Sequence, residues 1–239
     1  MSESFQLYLD SKDADFHNNN EYQFYLPSME VVDGFFLYLS VVSISIPYSF
    51  YNINYQNNFF SYVVDNIDYN ITLTPGNYNI NQVVAELKSQ MPYFNIVYNS
   101  ITNKISFSHA TSEFRFNISK FLYLLGFTTN NITSLNKTIY SSHCINLNYI
   151  RCINLVSNIY TNNINKSLEH NASILASVPV HTSPYSIIQY NNLNNYRSNL
   201  FKNHLDYIMI KLVDNDENIV HLNGLNFNIT IQLDVESFR

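Results

Sequence analysis

The residues best equipped for covalent chemistry are His143 and Cys144, an imidazole next to a thiol. They lie in a strand-like run, however, and neighbours in an extended strand point to opposite faces, so base and nucleophile would not meet. The other histidines, His17, His109, His170, His181, His204 and His221, are scattered without metal-ligand spacing. Two acidic groups offer hard oxygen ligands for Ca²⁺: Asp10, Asp13 and Asp15, and Asp214, Asp216 and Glu217. The first lacks the Gly and distal Glu of an EF-hand loop, and the second falls at a predicted hairpin tip, so both read as solvated turns. Four glycines provide no phosphate-cradling loop. The expectation is no catalytic, cofactor-binding or metal site, and hence no enzyme.

Cys144 and Cys152 are the only cysteines. Eight extended residues at about 3.3 Å each would hold them roughly 26 Å apart, too far for a bridge within one strand. Two buried thiols are expected. N-x-S/T triplets begin at Asn70, Asn117, Asn131, Asn136, Asn165, Asn171 and Asn228. Roughly one residue in six is Asn, far above ordinary usage, so such triplets arise by composition and need carry no sugar.

The elements that must position these residues are mostly strands. In Leu225–Val235 the side chains of Leu225, Phe227, Ile229, Ile231, Leu233 and Val235 share one face, with Asn, Thr, Gln and Asp on the other. Tyr207–Val213 and Ile219–Leu222 read as a hairpin around Asp214–Asn218, and Ile145–Leu155 as a long strand. Phe35–Ile46 is apolar on both faces, as in a central strand covered on both sides. Shorter strands fit Phe5–Asp10, Glu21–Leu26, Ile174–Val178 and Ile187–Tyr190.

One region departs from period two. After a strand over Ile67–Thr74, Asn79 and Gln82 form a capping box ahead of Ile80, Val83, Val84, Leu87 and Met91 on one helical face, and Pro92 ends the helix. A hairpin over Phe94–Tyr98 and Lys104–Ser108 follows, then a short helix over Ser119–Leu125 closed by Gly126. Residues 65–128 therefore read as an α+β insertion in an otherwise all-β chain.

The 239 residues are 46% hydrophobic, 15% aromatic and 13% charged, with 20 Tyr and 17 Phe. That balance excludes disorder and a long coiled coil. A net charge of −6 with scattered Lys and Arg excludes a counterion-releasing basic patch, so no direct nucleic-acid binding is expected. The start shows no secretory signal, and the most apolar stretch, Phe35–Pro47, is too short for a helical membrane span. A soluble product made in a cytosol-like compartment is expected.

Several segments occur together in a recognisable order. They are Leu9–Asp15, Tyr22–Pro27, Ser43–Pro47 followed by Tyr48–Ile53, and Ile71–Tyr78 leading into a helix. Leu124–Phe127, Ile174–Pro179, the Tyr196-Arg197 region and the closing strands complete the series. This layout resembles the penton, or minor capsid, proteins of virophages, Polinton-type viruses and related double-stranded DNA viruses. The resemblance implies an all-β single jelly-roll β-sandwich, with residues 1–20 as an N-terminal arm and 21–239 as the jelly-roll carrying the insertion. It further implies a homopentamer closing the fivefold vertices of an icosahedral capsid, beside a major capsid protein with a double jelly-roll fold. Such a subunit would reside at the capsid vertices of a virion assembled in the host cytoplasm, and would need no cofactor. The sequence names no interface residue. The alternative is a virion spike or carbohydrate-binding attachment module with a jelly-roll fold, suggested by the surplus of aromatics.

Overall fold

The computed structural model describes residues 2–18, 20–30, 35–128, 132–159, 173–200 and 204–237. The first strands in chain order are β1 (Ser2–Asp10), β2 (Phe16–Asn18), β3 (Glu21–Glu30) and β4 (Phe35–Pro47). There follow β5 (Phe59–Val64), β6 (Ile67–Thr72), helix α1 (Ile80–Gln90), β7 (Phe94–Asn99), β8 (Lys104–His109) and β9 (Phe114–Asn117). Helix α2 (Lys120–Leu124), β10 (Ile132–Thr133) and β11 (Thr138–Tyr140) complete the middle of the chain. The remainder is β12 (Cys152–Ser157), β13 (Ser173–Pro179), β14 (Ile187–Asn191), β15 (Ser198–Asn199), β16 (His204–Val213) and β17 (Asn228–Ser237). The chain divides into two compact units, Met1–Phe50 with Ile150–Arg239, and Tyr51–Tyr149.

The discontinuous unit is a jelly-roll. One antiparallel sheet runs β1-β17-β4-β14, with β15 also on β4; the other runs β13-β12-β16-β3-β2. Taking the eight main strands in chain order, with β14 and β15 as the sixth, the sheets read 1-8-3-6 and 5-4-7-2. Every connection except the fourth to the fifth changes sheet, which is the doubly wound path of a jelly-roll. The sheets face each other through alternate side chains. Ile229, Ile231 and Leu233 of β17 are buried with Leu37, Leu39, Ile44 and Ile46 of β4 on one side, and Phe24, Ile208, Ile210, Ile153 and Leu155 on the other. Tyr22 meets Phe227 edge-to-face at 4.9 Å across that core. Each such aliphatic side chain contributes about 1.5–3 kcal/mol by burial.

The burial pattern of β4 differs from the sequence expectation. The buried positions on β4 shift from Leu37, Leu39 and Val41 to Ile44 and Ile46, because the register against β17 slips between Thr230 and Ile231. The extra residue, Val42, is a β-bulge that changes which parity faces inward. Its outward residues are therefore half-exposed, and the apolar stretch on both parities reflects the phase change. Ser2–Asp10, within the stretch read as an arm, pairs along its whole length with Asn228–Glu236.

The Tyr51–Tyr149 unit has two small antiparallel sheets, β10-β9-β5-β6 and β11-β8-β7, with α1 packed against β7. Phe60, Phe107, Phe116, Phe121 and Phe127 are fully buried together with Leu73, Leu87 and Met91. Asn79 accepts from the Gln82 amide while the Gln82 side chain accepts from the Asn79 amide, so the capping box forms as read from the sequence. Gly126 ends α2 at φ 87°, where it lies hard against the backbone of His143.

The run Ile145–Leu155 is a strand only from Cys152 onward. Ile145, Leu147 and Tyr149 pack on the core of the Tyr51–Tyr149 unit, whereas Ile153 and Leu155 belong to the jelly-roll core. One continuous alternation thus serves two different interiors. The expected return strand over Ile219–Leu222 reduces to a single bridge between Val213 and Ile219. β17 starts at Asn228 because Asn223 and Gly224, both at positive φ, turn the chain just before it.

Candidate functional site

The His143 and Cys144 side chains diverge. His143 Nδ1 lies 3.0 Å from Ser142 Oγ and 3.3 Å from Thr128 Oγ1, and Cys144 Sγ donates to the Thr102 carbonyl at 3.5 Å. Both cysteines are free thiols, but Cys144 is exposed and Cys152 half-buried, which corrects the expectation of two buried thiols. Ile145 takes the inward position in that segment, leaving Cys144 to point outward.

The acidic groups serve as turn devices. Asp10 accepts from the Lys12 amide at 3.0 Å and pairs with its ammonium at 3.2 Å. The Asp10 hydrogen bond, then the charges of Asp10 and Asp13, raise the Lys12 pKa. Asp15 accepts from the Tyr25 amide at 2.7 Å. Buried Asp214 accepts from the amides of Asp216 and Asn218 at 2.8 and 2.9 Å, which closes the β16 turn. Among the described residues no group of three or more His, Cys, Asp or Glu is placed to hold a metal ion. Of the Asn triplets, Asn131, Asn165 and Asn171 lie outside the described residues, as does His170; Asn117 donates to Ser61 Oγ at 2.8 Å.

What the fold does assemble is a polar row across the outward face of the first sheet. Tyr8 on β1 donates to Gln6 Oε1 at 2.7 Å, and Gln232 on β17 donates to Asp234 Oδ1 at 2.9 Å. Gln6 approaches Gln232 at 3.5 Å. Arg197, just before β15, stacks over Tyr38 of β4 at 4.3 Å and donates to both Glu236 oxygens at 2.5 and 3.1 Å. Its guanidinium also lies 3.9 Å from Asp234. The Glu236 hydrogen bond foremost raises its pKa; desolvation opposes it, and the charges of Glu236 and Asp234 add to the rise. Beside this row is a groove of about 270 Å³ lined by Ser40, Val42, Asn192, Asn195, Arg197, Gln232 and Asp234. Sequence reasoning missed it, since its walls come from three distant segments and no spacing joins them.

The outward face of the second sheet has a different character. Tyr25 and Tyr207 are cross-strand partners with rings 6.5 Å apart, and Phe16 is paired opposite Gln23. All three rings are exposed. Lys211 and Glu21 form an ion pair at one end of this face.

Among solved structures, the chain is similar to a viral capsid protein. The crystal structure of the selenomethionine-labelled mavirus penton protein superposes with a TM-score of 0.54 at 11% identity, covering 100% of both chains. That establishes the shared fold. No family model matches the chain, and no curated protein sequence does so. Among the described residues no helix is long and apolar enough to cross a membrane.

Proposed function

We propose that this chain is a capsid protein of the penton type, five copies of which form a ring closing a fivefold vertex of an icosahedral virion. The observation that carries the reading is the end-to-end likeness to a penton protein, 100% of each chain, which includes the Tyr51–Tyr149 unit as well as the jelly-roll. In this reading the Tyr51–Tyr149 unit is an insertion between β4 and β12, and a double jelly-roll major capsid protein is the neighbour. The role is static and requires no catalysis.

Two properties of the jelly-roll support it. A ring needs heterologous contacts, in which one face of each copy meets a different face of the next. The two outward sheet faces differ in this way: one carries the exposed rings of Phe16, Tyr25 and Tyr207, the other the polar row from Tyr8 to Glu236. Exposed aromatics of this kind are enriched where protein surfaces become buried against partners.

The test is to locate the protein by electron microscopy of virions and to weigh its assemblies, alone and co-expressed with the virus's major capsid protein, by native mass spectrometry. Five copies around each vertex is the expected result. A trimeric projection, or consistent absence from the vertices, would overturn the assignment and favour an attachment module.

A further inference from the structure

We infer that the groove beside Arg197 is a binding site for a neutral saccharide, open in the free subunit and in competition with any ring contact made through the same polar face. Ser40 and Val42 of β4 and Gln232 and Asp234 of β17 contribute to it from the sheet; Asn192, Asn195 and Arg197 come from the segment between β14 and β15. A volume of about 270 Å³ suits a single sugar ring more than an extended ligand.

The segment is held before any ligand arrives. The Asn192 side chain accepts from the Tyr196 N–H at 2.9 Å and donates to the Tyr196 carbonyl at 2.6 Å, so one side-chain amide holds both backbone polar groups of a residue four positions on. Asn195 sits at φ 50°, a left-handed conformation that Asn tolerates. Arg197 is fixed by Glu236 and by the Tyr38 ring. Rigid polar groups reduce the ordering cost of binding.

Charge selects the ligand class. The single guanidinium is flanked by Asp234 and Glu236, so an anion would find the cation already neutralised and two carboxylates nearby. A hydroxyl both donates and accepts, and suits a row of amide, carboxylate, hydroxyl and guanidinium groups. Asn195 and Asp234 line the groove as polar partners for hydroxyls, and Val42 offers an apolar contact to a ring's C–H face. The exposed Tyr196 ring lies on the same segment.

A ligand of about a dozen heavy atoms in an open groove binds with a dissociation constant on the order of 1 mM. The full chain is tested on an array of neutral and sialylated glycans. Galactose, glucose, mannose and N-acetylglucosamine are each titrated by saturation-transfer NMR. Binding of at least one neutral sugar is expected, without preference for its sialylated counterpart. Val42→Trp, which fills the groove, should abolish the signal, and Asn195→Gly, which removes the side chain and keeps the φ 50° backbone accessible, should weaken it at least about fivefold while the melting temperature stays close to the parent's. Absence of any neutral-sugar binding overturns the inference. So does binding that survives both variants, or a preference for anionic glycans. If Val42→Trp fails to fold, the Asn195→Gly titration alone decides.

Discussion

Replacing Gly126 with alanine separates two contributions that glycine makes here. A Cβ at that position would lie 2.2 Å from the His143 carbonyl oxygen, 2.8 Å from its carbon and 3.1 Å from the Cys144 oxygen, all of them backbone atoms. The backbone is at φ 87°, which alone costs an L-residue roughly 1–2 kcal/mol. The His143 amide donates to the Gly126 carbonyl at 2.9 Å, so the two segments cannot separate without losing that bond. Relieving the overlap adds about 1–3 kcal/mol, giving a total of about 2–5 kcal/mol. If the Tyr51–Tyr149 unit unfolds as one transition, the melting temperature falls on the order of 20 °C. Gly224 is the control: its φ is 85°, yet an added Cβ meets nothing within 4 Å. Gly224→Ala should cost only the backbone part, about 1–2 kcal/mol. Calorimetry and urea titration of both variants provide the comparison. Equal destabilisation by the two, or a Gly126→Ala protein as stable as the parent, would refute the close-approach argument.

Three further outcomes are expected. Phe116, fully buried and within ring contact of Phe60, Phe107, Phe114 and Phe127, should cost about 3–5 kcal/mol when replaced by alanine, seen as a lower urea midpoint. Asn79→Ala removes half of the α1 capping box and should cost about 1 kcal/mol, with slowed-exchange protection lost first in the opening turn of that helix. The phenols of Tyr22, Tyr48 and Tyr62 have pKa values raised by burial, and in Tyr62 also by the charge of Tyr69. Their folded pKa lies above the unfolded value near 10, so their contribution is complete below about pH 10 and is lost as pH rises beyond it. Urea midpoints measured from pH 9 to 11.5 should fall less steeply in Tyr62→Phe than in the parent, and parallel curves would contradict this.

Local patterns in the sequence were legible where one interior imposed one period. The β17 alternation, the Asn79–Gln82 box and the Gly126 helix end each follow from neighbouring residues alone, and each appears in the structure. Legibility failed where a local pattern had two causes. The alternation from Ile145 to Leu155 looked like one strand because Ile145 and Tyr149 serve one core and Ile153 and Leu155 another. Phe35–Ile46 looked apolar on both faces because a bulge at Val42 changed the phase midway. The groove at Arg197 was not legible at all. Ser40, Arg197 and Asp234 are brought together by the placement of β17 and β15 on either side of β4, a consequence of topology and of no local signal.

The position of β17 has a bearing on how the chain acquires its structure. That strand lies between β1 and β4, so the first sheet lacks its central member until every other main strand has been made. The Tyr51–Tyr149 unit is continuous in sequence and pairs only with itself. Vectorial synthesis therefore lets that unit form early, while β1 and β4 wait with unpaired edges for the last strand. Pairings of such long sequence separation close slowly and leave strand edges exposed meanwhile. Truncation just before Asn228 should yield a chain whose middle unit is protease-resistant and whose flanks aggregate, making the C-terminal strand the step on which the jelly-roll's yield depends.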